Sequence, residues 1–392
     1  MVTALLGTLV VVGLVVVVVM AFVQARQLRS AAPATCGAAM PVSVLKPMKG
    51  VDARLEANLE TFFRLDYPCY ELVFGVSEPA DPALEVARRV AGRHPQVAAR
   101  FVAGGRPVGH NPKVNNLASM LRTARHELLL ISDSNVAVGG DYLQVMVDQL
   151  EQPGVGLVTS FIRGTAGRGL GGALESLQLN TFVMGGIAAA DSLLRRVAAV
   201  GKSMLLRRSD LERIGGFAEL GRYLAEDQVC GEAIQALGRR VVVSPRPVDN
   251  VLGSLSLRGF TSRHLRWARI RRRIAPLGYA AELLANPLPP ALLLAALEPG
   301  RATAILAATT LGVTSALALG LERRLGIHRR ALLYPGLELL RALLVAILWP
   351  VPFVSSTVDW RGQRFRVGPR TLLEPLADPP ALLPEPEVSE AA

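Results

Sequence analysis

The strongest constraint in this chain is an alternation. From Pro41 to about Pro247, short apolar runs alternate with amphipathic stretches. The sharpest run is Leu128 to Ile131, which reads as a short strand buried on both faces. It stops at Ser132-Asp133-Ser134-Asn135, which is polar and turn-forming. Residues 42–45, 70–76 and 97–102 read as further strands. Residues 55–65, 82–91 and 114–124 read as helices, with Leu55, Leu59, Phe62 and Phe63 on one side of the first. Residues 154–160 and 241–244 can add strands. The pattern predicts an α/β domain with a mostly parallel sheet covered by helices. Open sheets of this kind hold ligands at the carboxyl ends of their strands, where Asp133 falls. Asp133 offers a hard oxygen to a divalent cation that bridges phosphates. An Asp here also serves as an ordinary helix cap.

Polar signals gather where the other strands end. The first strand runs into Lys46-Pro-Met-Lys-Gly-Val-Asp52, and the second ends at Ser77-Glu78 with Asp81 beyond. A Gly- and Pro-rich loop, residues 104–113, closes on Lys113, with Asn115 and Asn116 at its exit. Such a loop before a helix can hold phosphate through backbone N–H groups, although GxxxxGK[ST] is absent. It can equally be a plain connection. Residues 201–208 precede a helix that starts at Ser209-Asp210 and ends at Gly215-Gly216. Another opens at residues 223–228 and runs to Leu237. Glu226 and Asp227 lie in its first turn, a position the helix dipole alone would favour.

The two ends are apolar, and they raise the hydrophobic share to 51% and the mean hydropathy to +0.34. Met1 to Val23 carries no charged side chain and is long enough for one membrane span. Arg26 and Arg29 follow it and no basic residue precedes it, which argues against a cleaved leader although Ala31-Ala32-Pro33-Ala34 mimics a cleavage site. The same asymmetry places residue 26 onward in the cytoplasm. Three scattered cysteines (Cys36, Cys69, Cys230) agree with a reducing compartment. Near the other end, residues 283–297, 302–321 and 331–353 are apolar, the first interrupted by Pro287, Pro289 and Pro290. The basic stretch 322–330 belongs in the cytoplasm, and so does the basic tail 360–366. Three full spans would put that tail outside, so one segment is expected to be re-entrant or interfacial, the third by preference. Glu338 and Arg341 within it are spaced to pair. Residues 374–392 are Pro-rich and acidic and are expected to be disordered.

Net charge is +11, which suits phosphorylated substrates or anionic lipid. Nucleic acid is the weakest partner, since aromatics are 5% and no zinc-finger or RNA-binding signature is present. Much of the charge lies in residues 257–274, with Arg258, Arg263, Arg266, Arg269, Arg271, Arg272 and Arg273. As a helix this puts Arg263, Arg266, Trp267 and Ile270 on one face. That face can grip a diphosphate while the other arginines lie on lipid.

Lys46-Pro-x-Lys-Gly-Val-Asp52, Asn58-Leu-Glu-x-Phe-Phe63, Asp66-Tyr-Pro68, Asn111-Pro-Lys-x-Asn-Asn116, Asp133-Ser134, Ala225-Glu-Asp227 and Arg263-x-x-Arg-Trp267 together resemble the ceramide glucosyltransferases, glycosyltransferase family 21, over about residues 41–275. The bacterial hopanoid-associated glycosyltransferases share much of the pattern. The resemblance implies a GT-A fold and a transfer from a UDP-sugar. Asp52 matches the family's first aspartate, and Glu78 sits where an acid meets uracil. Asp133 matches the metal-binding aspartate for Mg²⁺ or Mn²⁺, and Asp227 the catalytic base. Arg263, Arg266 and Trp267 match the motif that holds the diphosphate, and Lys46 and Lys113 join the donor-binding set. The metal motif here is Asp-Ser-Asn where the pattern has Asp-x-Asp, so Asn135 offers at best a neutral ligand.

The expected organisation is then a membrane helix at 1–24, a linker at 25–40, the catalytic domain at 41–256 and a basic interfacial helix at 257–280. Membrane segments follow at 281–354, then the tail at 355–392. The expected activity is an inverting transfer of a hexose, glucose by preference, to the primary hydroxyl of a lipid, ceramide by preference. It would take place at the inner membrane with the catalytic domain in the cytoplasm. A hopanoid acceptor with UDP-N-acetylglucosamine, a processive polysaccharide synthase and an inactive membrane scaffold are the rival readings.

Overall fold

The computed structural model describes residues 1–29, 40–360, 363–376 and 387–390. Cys36, the Ala31–Ala34 stretch and most of the expected linker lie outside the described residues, as do residues 377–386 of the tail. The chain divides into two compact units. The sheet unit takes Ser30–Ile162, Arg195–Val251 and Thr357–Ala392, and the helical unit takes Met1–Arg29, Arg163–Leu194 and Leu252–Ser356.

In the sheet unit, strands β1 (Val42–Pro47), β2 (Tyr70–Val76), β3 (Ala98–Ala103) and β4 (Leu128–Ser132) lie parallel in the order β3-β2-β1-β4. Helices Leu55–Phe63, Pro82–Gly92 and Pro112–Leu121 connect them. Burial on both faces explains why these strands read as mostly apolar runs, with Ser43, Lys46, Glu71 and Arg100 among the buried exceptions. The strand order reverses at β1, so the crevice between β1 and β4 is the topological switch point. Beyond β4 come β5 (Val136–Ala137), β6 (Val155–Thr165), β7 (Ser203–Arg207) and β8 (Arg240–Val251). The sheet continues β4-β7-β6-β8-β5, with β7 antiparallel to β4 and to β6. Ser132 pairs with Ser203, which brings Lys202 beside Asp133. The core packs Leu45, Val73, Leu129 and Met204 against Leu117, Phe217 and Ile234 from the covering helices.

The tail carries more structure than its composition predicts. Strands β9 (Thr357–Trp360), β10 (Gln363–Val367) and β11 (Leu373–Pro375) form a small antiparallel sheet, and β12 (Glu387–Glu390) pairs with β3. Glu374, Pro375 and residues 387–390 therefore have partners inside the stretch expected to be disordered. Thr371 O accepts from Leu224 N at 2.9 Å, Arg222 O accepts from Leu373 N at 2.9 Å, and Thr371 Oγ1 accepts from Ala225 N at 3.1 Å. These bonds brace the backbone just before the helix that carries Asp227.

In the helical unit, Val2–Arg29, Leu288–Leu297 and Arg301–Arg324 pack around Val10, Ala291 and Ala307. At Gly13 an added Cβ would stand 2.8 Å from Pro287 Cβ, so only glycine allows this approach. Val2–Arg29, Arg301–Arg324 and residues 331–354 are long and apolar enough to cross a membrane. A further pair, Pro276–Ala285 and Leu288–Leu297, is bent by 60°. The prolines at 287, 289 and 290 cause the break by removing donors and clashing with the preceding turn. Shorter helices Gly169–Gln178, Met184–Ser192 and Leu257–Ile274 complete the unit, with a π-helical turn at Leu179–Val183.

Candidate active site

The site in the sheet unit is built on the ends of β1, β4 and β7 and on the first turn of helix Glu226–Ala236. Asp133, one residue past β4, accepts from Lys113 Nζ at 3.0 Å on Oδ1 and from Lys202 Nζ at 2.9 Å on Oδ2. Lys113 Nζ also reaches Glu226 Oε1 at 3.1 Å and donates to Gly201 O at 3.0 Å. Gly201 N in turn donates to Asp227 Oδ2 at 2.8 Å, and Gln228 N donates to Oδ1 at 2.8 Å. The loop before β7 therefore joins the strand-end carboxylate to the helix carboxylate. An added Cβ at Gly201 would fall 2.9 Å from Asp227 Oδ2 and 3.1 Å from Lys113 Nζ, so any side chain here would displace those two groups.

Local sequence explains how Lys113 is aimed. Asn111 caps helix Pro112–Leu121, its Oδ1 accepting from Lys113 N and Val114 N at 3.0 and 3.1 Å, with Pro112 in the first turn. The Asn111 amide also donates to Tyr223 O at 2.8 Å and to Glu226 Oε2 at 3.2 Å. One side chain thus sets the start of one helix against the start of another. Asn115 closes the Gly-rich loop, accepting from Val108 N and Gly109 N.

Charge decides the protonation states. Burial would raise the Asp133 pKa, but Lys113 and Lys202 outweigh it and hold the carboxylate well below its usual range. Burial would lower the Lys113 pKa, but Asp133, Glu226 and Asp227 hold it above its usual value. Asp227 differs. Burial and the neighbouring Glu226 push it up to about 6, against the opposing pull of Lys113 and two backbone N–H donors. A half-buried carboxylate poised near neutrality is suited to accept a proton.

The remaining sequence-selected residues divide. Lys46 is fully buried: its Nζ donates to Asp133 O at 2.6 Å and stands 3.7 Å from the centre of the Phe62 ring. It fixes the end of β4 from beneath, and burial lowers its pKa well below the usual lysine value. Asp52 accepts a hydrogen bond from the Ser134 hydroxyl. Glu78 is exposed just past β2. Asp81 holds the Lys46–Asp52 loop instead, accepting from Gly50 N at 2.9 Å while capping helix Pro82–Gly92. Asn135 faces Lys202 Nζ at 2.7 Å and Asn250 at 2.8 Å.

Arg263, Arg266 and Trp267 belong to the helical unit, on helix Leu257–Ile274. Its buried stripe is Phe260, His264 and Ala268. Arg263 Nη1 donates to Glu175 Oε1 at 3.1 Å, the His264 ring lies 2.7 Å from Glu175 Oε2, and Trp267 meets the His264 ring edge-on. The arginines expected on lipid have protein partners as well. Arg271 makes a two-pronged bond to Glu282 at 2.6 and 3.1 Å, Arg269 reaches Ser355 at 3.1 Å, and Arg272 lies over Phe353. The reason is that Glu282 follows the helix closely and returns a carboxylate to its face, which helical phase alone does not register.

Among the described residues no three His, Cys, Asp or Glu side chains group as a metal cage. The hard oxygens present, the Asp133 carboxylate and the Asn135 amide, suit a divalent ion that takes its other donors from a diphosphate. Their present partners are ammonium groups, so the position is one that attracts cations. Lys202 and Glu226 are the partners that sequence reading did not select. The only signals for them were a Lys after Gly201 and an acid beside Asp227.

The chain was compared with known proteins. It is 31% identical over 255 residues to ceramide glucosyltransferase 3 of Caenorhabditis elegans, covering 65% of this chain and 55% of that protein. It is 32% identical over 241 residues to ceramide glucosyltransferase 1 of the same organism, covering 60% and 50%. A ceramide glucosyltransferase of Komagataella phaffii is 27% identical over 289 residues, covering 59% of this chain and 57% of that one. The chain thus spans about half the length of these relatives. Among solved structures, a mannosyltransferase of Pyrobaculum calidifontis in complex with GDP-Man and Mn²⁺ superposes with a TM-score of 0.52 at 20% identity, over 88% of this chain and 98% of that one. That likeness establishes the GT-A fold. The family model for glycosyl transferase family 21 matches residues 8–373, and the chain belongs to that family.

Proposed function

We propose that this protein transfers a hexose, glucose from UDP-glucose, to the primary hydroxyl of ceramide with inversion at the anomeric carbon. The observation that carries the reading is Asp227, a partly buried carboxylate with its pKa pushed up to about 6, linked through Gly201 and Lys113 to the strand-end Asp133. The names of the similar proteins supply the lipid class.

The chemistry follows from these groups. Asp227 takes the proton of the acceptor hydroxyl as its oxygen forms a bond to the anomeric carbon. The bond from that carbon to the diphosphate breaks, and UDP leaves with the electron pair. One carboxylate suffices for this single displacement, so an α-linked donor gives a β-linked product. Asp133 is the residue that would hold a divalent ion, which would supply charge neutralisation for the leaving group. Lys113 and Lys202 place two further positive charges at the same strand end, where they favour the diphosphate electrostatically. Asp52 and Glu78 form the nucleoside side of the donor site in this reading.

The protein is a membrane protein by its apolar helices, and we place the sheet unit in the cytoplasm. Arg26 and Arg29 follow the first span with no basic residue before it. The chain leaves the sheet unit at Val251 and returns to it at Thr357, so an even number of crossings separates them. With residues 276–297, 301–324 and 331–354 available, one does not cross. The basic loop after Arg324 is tied to Arg163 at the end of β6, whose Nη1 donates to Leu325 O at 2.8 Å. That favours residues 331–354 as the interfacial or re-entrant segment.

The test is direct. The purified full chain in detergent, given UDP-glucose, a short-chain ceramide and Mg²⁺, forms β-glucosylceramide detected by mass spectrometry and NMR. Absence of transfer to ceramide, with transfer to another hydroxyl lipid, would overturn the acceptor assignment.

A further inference from the structure

Within the helical unit a groove-like cavity with about 50 Å³ of enclosed room, open along one side, lies among the first helix, the π-helical turn, helix Arg301–Arg324 and helix Tyr334–Leu348. Val17, Met20, Phe182, Leu317 and Leu321 make its walls apolar. Glu338 and Arg341 also line it, although both are almost fully buried. Ionisable groups inside a membrane segment are costly and mark functional sites by default. π-Helical turns are rare and recur at such sites, and this one sets Thr181 and Phe182 on the cavity wall.

The ion pair is satisfied on one side only. Arg341 donates from Nε and Nη2 to Glu338 Oε2, at 3.1 and 2.7 Å, and from Nη1 to Gln178 Oε1 at 2.9 Å. Every guanidinium nitrogen therefore has an acceptor. Both bonds to Glu338 fall on Oε2, and Oε1 accepts no hydrogen bond among the described residues. Glu338 is only 2% exposed, and it lines the cavity. A carboxylate oxygen in apolar surroundings without a donor is expensive, so the cavity calls for a ligand that brings one.

We propose that this cavity is the binding pocket for the lipid acceptor, with Glu338 Oε1 accepting from an amide N–H and the apolar walls taking a hydrocarbon chain. The proposal rests on the lipid-transfer reading above and adds the place where the lipid is held. The carboxylate selects for a neutral donor and against a phosphate headgroup, which would meet like charge. An N-acylated amino alcohol supplies that donor; a diacylglycerol of equal chain length, having no N–H, does not. Glu338 is a binding group here and takes no part in the bond changes.

The experiment uses the detergent-solubilised full chain and a ceramide carrying a diazirine in its acyl chain. Photolabelling should map to peptides containing Phe182 or Leu317 and be competed by unlabelled ceramide but not by matched diacylglycerol. Leu317→Trp, which fills the cavity and leaves the ion pair intact, should raise KM for ceramide about tenfold, a loss of roughly 1.4 kcal/mol. Glu338→Gln should do the same and weaken discrimination against diacylglycerol. KM for UDP-glucose and UDP binding should not change in either variant. Unchanged KM for ceramide in a folded Leu317→Trp variant would overturn the pocket while leaving the transfer reading in place. Equal competition by diacylglycerol would make the cavity a general lipid site and overturn the proposal. Cavity labelling competed by ceramide alone, in a protein that transfers no sugar to ceramide, would support the pocket and refute the transfer reading.

Discussion

The helical unit and the active-site corner of the sheet unit treat carboxylates in opposite ways. In the helical unit each buried one is fitted with a cation: Glu175 with Arg263 and His264, Glu322 with Arg329, Glu338 with Arg341. Glu322 also accepts from Tyr334, Ser176 and Asn180 at 2.8 to 3.1 Å, which leaves it fully paired at zero exposure. In the sheet unit Asp133 takes two lysines and Glu226 shares one of them, but Asp227 receives only backbone N–H groups. The contrast separates carboxylates that hold a cation of their own, which fix helices, from one that does not. A carboxylate denied its own cation and placed beside another acid is the one that will accept a proton near neutral pH.

Asp227→Asn should lower transfer by about 10²–10⁴-fold while UDP-sugar binding persists. Burial and Glu226 raise the pKa of Asp227 from 3.8 to about 6, so the wild-type protein should lose stability as pH climbs through that window, a dependence that Asp227→Asn should lack. Near-normal turnover, or the same pH dependence of stability in the variant, would make Asp227 another structural acid.

Glu322→Gln should behave the other way. Breaking a buried pair by removing one partner costs about 3–5 kcal/mol, so unfolding in detergent should come much earlier. Turnover per folded molecule should hold. A folded variant with the loss in kcat expected for Asp227→Asn would abolish the distinction between the two units.

Asp133→Ala should weaken UDP binding, by roughly tenfold or more if one charge-assisted interaction worth about 1.5–3 kcal/mol is lost. The loss should appear with Mg²⁺ or Mn²⁺ present and shrink under chelation, as isothermal titration would read. Smaller still is Arg272→Gln, which removes a cation from the Phe353 ring at a cost of about 0.5–1 kcal/mol of stability and should leave UDP binding alone.

What could be read in advance follows the physics of each segment. β1 to β4 were legible because strands covered on both faces are mostly apolar, and their connecting helices carry amphipathic stripes with Pro82 and Pro112 at their starts. Helix Gly169–Gln178 and the π-helical turn after it were not, because their buried residues include Glu175, Ser176, Gln178 and Asn180. Those polar groups are buried only because Arg263, Arg341 and Glu322, far along the chain, come to meet them. β7 looked like a lead-in to a helix, since Ser203–Arg207 is short and gains its identity from pairing with β4. The site shows the same limit. Asp133 and Asp227 stood out by position, but Lys202 becomes part of it only through the Ser132–Ser203 register, and Glu226 only through Lys113. Arg271 was assigned to lipid because helical phase cannot see Glu282 folding back.

The central claim is that Asp227 acts as the base because Glu226 and burial raise its pKa. The acid limb of kcat/KM reports ionisation in the free enzyme, the state described here. In the wild-type protein this limb should fall near pH 6, transfer rising with pH as Asp227 loses its proton. Glu226→Gln removes the like charge, so the limb should move to lower pH. A limb that stays where it was in Glu226→Gln, or one that Asp227→Asn retains at full rate, would contradict the account.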